Sequence, residues 1–161
     1  MTINAPEELL AQLERLYNDT DDIAKDALKA GAGVVADEIR KRINELPRDK
    51  YRRLREGEIF SGVAEFQRRD LQEGFGITPI KSDNKGAYNV KVGFDGYGSV
   101  PTKKYPKGLP NPLLARAIDS GSSVRRKLPF FRSGVKAAEK PAIEAMENVI
   151  NKKIEEITNG R

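Results

Sequence analysis

The C-terminal stretch carries an apolar stripe that cannot stand in water by itself. Val135, Ala138, Ala142, Met146, Val149, Ile150, Ile154 and Ile157 recur at helical spacing, and Glu139, Glu144, Glu147, Lys152, Glu155 and Glu156 take the other faces. A helix with one greasy side draws its stability from the surface it lies on. The rest of the chain must supply that surface, as a sheet or as other helices. Pro141 sits within the pattern, where it removes one backbone hydrogen bond and crowds the carbonyl of Ala137. The apolar phase runs through it unbroken, so the sequence predicts one kinked helix rather than two. Ahead of it lies NPLLARAIDSG. Asn111 can cap a helix, and Pro112 fits the first turn. Leu113, Leu114, Ala117 and Ile118 form its apolar side, and Gly121 is a stop signal.

At the other end, Pro6 stands where a first helical turn would begin. Leu9, Leu10, Leu13, Leu16 and Tyr17 follow at three- and four-residue spacing. The run Asn18 to Asp22, NDTDD, predicts a break whose Asp or Thr caps a second helix. Its DxD carboxylates could instead hold a metal, but the glycine and distal glutamate of a calcium loop are missing. The second helix is expected from Asp21 to Glu45, with Ile23, Ala27, Val34, Val35, Ile39 and Ile43 buried and Ala24 and Leu28 beside them. Gly31, Ala32 and Gly33 interrupt it, and each glycine costs a helix roughly 1 kcal/mol relative to alanine. Close approach of another backbone would offset that. A phosphate-binding turn fits poorly, since no strand precedes it and no Lys-Ser/Thr follows.

Pro47 ends that helix and opens a basic linker. Arg48, Lys50, Arg52, Arg53 and Arg55 surround Tyr51 there. Basic residues around an aromatic can grip nucleic acid, and they can equally be a solvated run. From Ser61 the pattern turns helical again, with Val63, Phe66 and Leu71 on one face and Gly74 as a C-cap. Residues 75–82 read as a strand that Pro79 demotes to an edge or a bulge. Asp83 to Gly86 has turn chemistry. Tyr88, Val90, Val92 and Phe94 then alternate with polar residues and glycine, as in an antiparallel sheet with one wet face. Two strands are marginal alone, so a third is expected from Val124–Leu128 or from a neighbouring subunit. Gly93, Gly96 and Gly98 lie between strand and loop and make no phosphate loop. Four prolines and three lysines between Pro101 and Pro112 define a long surface loop of the kind that is functional or becomes ordered on a partner.

The fold class expected is α+β: a small antiparallel β-sheet packed against long N-terminal and C-terminal helices. One domain over 1–161 is expected, comprising a helical pair (1–46), the basic linker (47–60), a short helix and β-hairpin (61–95), the Pro/Lys-rich loop (96–112) and the short helix, basic loop and long last helix (113–157). Charged residues make up 33% against 38% hydrophobic, so the domain should be thin or should complete its burial in an oligomer. Without cysteine or histidine, thiol chemistry, His-ligated zinc and a Ser-His-Asp triad are excluded. No cofactor is expected. An enzyme would need carboxylates, Lys or Tyr alone, and no pair of these stands out. No stretch resembles a signal peptide or a membrane span, so a soluble intracellular product is expected.

Charge is segregated. Residues 1–39 hold 3 basic and 9 acidic side chains, a net of −6; residues 40–132 hold 21 and 10, a net of +11; the remainder balances at 5 of each. Such asymmetry suits a polyanion, or subunits that dock acidic end to basic middle.

In layout the chain resembles the tail-completion or head–tail connector (neck) proteins of long-tailed bacteriophages. Two stretches carry most of the likeness. LLARAIDSG at 113–121 is similar to the family's short helix ending in an acid, a small residue and glycine. LPFFRSGVKAAEKPAIEAM at 128–146 is similar to its Pro-Phe-aliphatic-Arg-Pro-Ala entry into the last helix, with Phe131 in place of an aliphatic and Ser133-Gly134 in place of Pro-Ala. The likeness spans about residues 20–157 and contains no catalytic signature. It implies a structural protein of the head–tail junction or tail end, forming a ring, commonly sixfold, around the DNA channel. Its partners would be itself, neighbouring neck and tail proteins and DNA passing without sequence specificity, with no membrane; it would sit in the virion and, during assembly, in the host cytoplasm. Candidate subunit, partner or channel contacts are Arg48, Arg52, Arg53, Arg55, Lys103, Lys104, Lys107, Arg125, Arg126, Lys127, Phe131 and Arg132. The competing reading is a DNA- or RNA-binding module using the basic middle.

Overall fold

The computed structural model describes residues 7–159, so the helical start expected at Pro6 lies outside the described residues. Two long helices frame the molecule: α1, Glu7–Glu45, and α4, Phe130–Thr158. At 1.5 Å per residue they are about 58 and 44 Å long. They run antiparallel. Near one end Gly134 lies against Ile39 and Arg42, in the middle Gly31 meets Met146 and Ala142, and at the far end Gln12 Nε2 donates to the Thr158 carbonyl at 3.2 Å.

The seam between them is made largely of small residues. Ala27, Ala32 and Ala36 on α1 and Ala138 and Ala142 on α4 are all buried, as are Gly31 and Gly134. A Cβ on Gly31 would stand 2.8 Å from the Met146 side chain, which would have to move aside, and in ordinary contact, 3.5 Å, with the Ala142 carbonyl oxygen. Gly33 has nothing within 4 Å of such a position. Val149 and Ile150 are only half-buried, and Val135 and Ile154 are exposed. The stripe is thus buried best where its side chains are smallest, because there the backbones come closest.

The break expected at Asn18–Asp22 does not occur, and the expected helical pair is one helix, α1. Its would-be capping groups are satisfied without a break. Thr20 Oγ1 donates back to the Leu16 carbonyl at 2.8 Å, and Asp22 pairs with Lys25 at 3.3 Å. Packing against α4 past this point outweighs the local preference of Asn and Asp for a turn.

The second layer is short. Helix α2 spans Glu65–Gly74, starting later than Ser61 because Val63 is instead bridged in extended form to Arg48. Four small strands follow: β1, Phe75–Ile77; β2, Lys81–Ser82; β3, Tyr88–Asn89; β4, Val92–Phe94. β1 pairs antiparallel with β4, Phe75 opposite Phe94, and β2 pairs antiparallel with β3, Ser82 opposite Tyr88. Each of the two strands expected is therefore divided, the first on either side of Thr78–Ile80, where Pro79 cannot donate to a ladder. Helix α3 spans Asn111–Ser120. Asn111 does not cap it from outside but lies in its first turn, 3% exposed, donating from Nδ2 to the Asp95 carbonyl at 2.9 Å. Gly121 ends α3 at φ 77°, the left-handed conformation that glycine adopts without strain.

The third strand expected at Val124–Leu128 joins neither ribbon. That segment instead bridges Phe60 through Arg125, with Phe60 N donating to the Val124 carbonyl and Arg126 N to the Phe60 carbonyl. The ribbons borrow support from α1 and from one core, in which Ile39, Ile43, Val63, Leu71 and Ile118 are essentially unexposed and Phe75, Leu114 and Phe130 join them. α4 thus lies along α1, and it reaches the β1–β4 ribbon at its first residues, where Phe94 meets Phe130 and Phe131 with centroids 6.1 and 5.8 Å apart.

Replacing Ile39 by alanine should lower the unfolding free energy by about 2–5 kcal/mol. Ile143→Ala, on an α4 side chain that is half exposed, should change it by less than about 0.5 kcal/mol. Urea denaturation of the two variants checks the assignment, and equal losses would place the seam on the wrong face.

Candidate functional site

The basic linker folds back on the loop before α4, bringing two of the three cationic runs together. Asp49 is the hinge of this block. Its N–H donates to the Val63 carbonyl at 3.0 Å, and its carboxylate accepts from Ser61 N at 2.8 Å, Ser61 Oγ at 3.1 Å and Arg52 at 2.8 Å. The Ser61 amide, first among these donors, holds the Asp49 carboxyl below the usual carboxylate range.

Phe60 lies at the centre. Arg125 and Arg52 sit over its ring at 5.3 and 5.6 Å, and Tyr51 stacks on it at 5.8 Å with the rings 5° from parallel. Arg125 is buried, and its guanidinium donates to the Gly62 carbonyl at 2.6 Å and to Gln67 Oε1 at 3.1 Å. Burial pulls its pKa below the ordinary arginine value. Arg125 faces inward as a strut between the linker and α2, whereas its neighbours Arg126 and Lys127 are exposed.

The remaining candidates divide by what they already hold. Arg48 pairs with Glu65 at 3.5 Å across exposed surface, and Arg52 is engaged with Asp49. Arg53, Arg55, Arg126 and Lys127 are exposed and form no ion pair among the described residues. Lys103, Lys104 and Lys107 are exposed on a separate loop, which is tied down at Gly98–Leu109 and Tyr97–Pro110. A Cβ on Gly108 would collide with the Gly98 carbonyl, and its φ of 96° favours glycine in any case. No hydrogen bond or ion pair among the described residues joins this loop to the linker block.

Phe131 and Arg132 belong to a third place, a groove of about 390 Å³ between β4, α3 and the start of α4. Phe94, Pro112, Ala115 and Phe131 make its apolar lining, and Arg116 and Arg132 stand at its rim. Asp119, 6% exposed, fixes this corner. Its Oδ1 accepts from the Phe131 and Arg132 amides at 2.9 and 3.2 Å, and its Oδ2 takes Arg132 Nε at 2.6 Å. Those amides belong to the first turn of α4, so Asp119 caps that helix from another one and meets its dipole with negative charge. Sequence reasoning passed over Phe94, Arg116 and Asp119, because the groove exists only once three separated elements meet. The one local signal was an acid two residues before the stop glycine of α3.

These features are surfaces: a cationic block, a lysine loop and an apolar groove, carried on a frame of long helices. Comparison with known proteins then gives the class. Residues 7–96, more than half of the chain, match the family described as "Bacteriophage HK97-gp10, putative tail-component". The chain belongs to this HK97-gp10-like family of phage tail components. The matched part holds α1, α2 and both ribbons, and it stops before the 113–146 stretches on which the likeness in layout had rested. Neither the curated proteins nor the solved structures gave a match. Among the described residues no helix is long and apolar enough to cross a membrane.

Two outcomes follow. Asp119→Ala removes the cap of α4 and the partner of Arg132, and should cost about 1–3 kcal/mol in urea denaturation. Because the folded-state pKa of Asp49 is lowered, its contribution is present above the ordinary aspartate value of about 3.9 and is lost as pH falls through the folded value. The melting-temperature gap between the wild type and Asp49→Asn should therefore be widest near neutral pH and should close in acid, as a pH series of thermal melts would show.

Proposed function

We propose that this phage tail component is a non-catalytic structural subunit that self-associates into a ring at the head–tail junction or the tail end, with DNA passing through its centre. Membership of the tail-component family carries the structural part of this reading. The charge distribution supports the rest. An acidic N-terminal third and a basic middle within one chain give each copy two unlike surfaces, and unlike surfaces make head-to-tail contacts that close into rings. Sixfold closure is the expectation from the likeness to connector proteins. The exposed cations Arg53, Arg55, Arg126 and Lys127, with Lys103, Lys104 and Lys107 on their loop, are the groups proposed to face neighbouring subunits, neck or tail proteins, or the DNA backbone. Arg125 is proposed to act through the block it braces rather than by direct contact.

A channel that lets DNA slide should hold it weakly. Duplex-binding titrations at rising salt should give low-affinity, sequence-independent binding. Tight, saturable binding that loses several decades of affinity between about 50 and 200 mM salt would instead mark a dedicated nucleic-acid-binding module. Negative-stain images of the protein with its cognate tails should show added ring density at one end of the tail. Tails that are complete without the protein would overturn the proposal.

A further inference from the structure

The N-terminal tip of α1 carries an apolar face that nothing among the described residues covers. The last hydrogen bond joining α1 to α4 is that of Gln12 to Thr158, and the turn before it runs past the end of α4. Leu9, Leu10 and Leu13 are 45%, 53% and 53% exposed, and Tyr17 is 82% exposed. At about 100° per residue these side chains and Leu16 fall within one third of the helix circumference, with Glu14 exposed at its flank. The same chain holds an open apolar groove on its other layer, lined by Phe94, Pro112, Ala115 and Phe131. At its edge a Cβ on Gly93 would meet nothing within 4 Å, so the wall there is bare backbone that a second chain can approach closely.

We infer that the α1 tip of one copy seats in the β4–α3–α4 groove of a second copy. The occupant is selected by charge. From Glu7 to Asp22 the sequence has six acidic residues and one basic, a net of −5. The groove rim offers Arg116, exposed and without an ion pair among the described residues, and Arg132, whose side chain is 59% exposed beyond its bond to Asp119. Two acidic tips would repel each other, which disfavours a symmetric tip-to-tip dimer. A helix laying leucines at i, i+1, i+4 and i+7 into an apolar slot, with carboxylates meeting arginines at the rim, is a common recognition mode. Tip and groove are different surfaces, so the contact is heterologous and propagates into a ring or a filament. The inference rests on the self-association proposed above and names the surfaces that would perform it.

The chain has no native cysteine, so disulfide trapping has no background. Full-length Leu10→Cys and Arg116→Cys proteins, both altered at exposed positions, are mixed under mild oxidation, and each is also oxidised alone. The mixture should form the crosslinked pair about tenfold faster or more than either variant alone, because docking raises the effective concentration of the two thiols. In parallel, Arg116→Glu should weaken association in sedimentation velocity, and adding Glu14→Arg should restore it. Rapid trapping of Leu10→Cys with itself would overturn the inference in favour of tip-to-tip pairing. An oligomer that gives no mixed crosslink would overturn it while leaving the ring in place. A strictly monomeric protein at all concentrations would overturn both.

Discussion

The fold depends on how closely α1 and α4 can approach. Alanines and glycines line their seam, so each residue buries little side-chain area, yet the backbones come near enough for dispersion contacts to add up over several turns. The ribbons contribute little by themselves. Strands of two or three residues without a third partner are marginal in water; β1–β4 persists because Phe75, Val92 and Phe94 rest on the core held by Ile39, Ile43 and Leu71, and β2–β3 lies against α1 through β3. The helix pair is thus the frame, and the strands are carried on it.

Asp119 links that frame to the β4–α3–α4 groove. One carboxylate in the last turn of α3 caps α4 and orients Arg132, so the corner of the groove and the start of the long helix are set by the same group. Arg125 does similar work in the basic block. Both are charged residues withdrawn from solvent and held by hydrogen bonds, Asp119 by two amides and Arg132, and Arg125 by Gly62 and Gln67, which lowers the cost of burying charge. Their positions separate cations that hold the fold from cations such as Arg126 and Lys127 that remain available to a partner.

The periodic parts of this architecture were legible in the sequence. The last helix, the α3 stop at Gly121 and the alternation around Val92 and Phe94 all follow from spacing and glycine chemistry. The failures share one cause. NDTDD is a sound local capping signal, but local preference yields when a long neighbour packs along both sides of it. Arg125 read as one more surface cation, since nothing in RRK says which residue will find a carbonyl at Gly62. Asn111 read as a cap for a helix whose first turn it joins. The groove was invisible for the same reason: Phe94, Ala115 and Phe131 come from distant parts of the chain and share no local pattern.

An apolar tip on an acidic helix and an apolar groove with an arginine rim are each a liability to a monomer. The leucines offer a surface for non-specific association, and the groove leaves Phe94 and Phe131 partly wet. Stability alone gives little reason for leucine at Leu10 and Leu13, each 53% exposed among the described residues. Helical propensity does not call for leucine over glutamate or lysine there either. The self-association proposed above would give these leucines a role, since a second copy could cover them. In the assembly proposed above, segregated charge would set orientation and encounter while the leucines would supply contact area. One chain can then be marginally covered alone and well covered in its place.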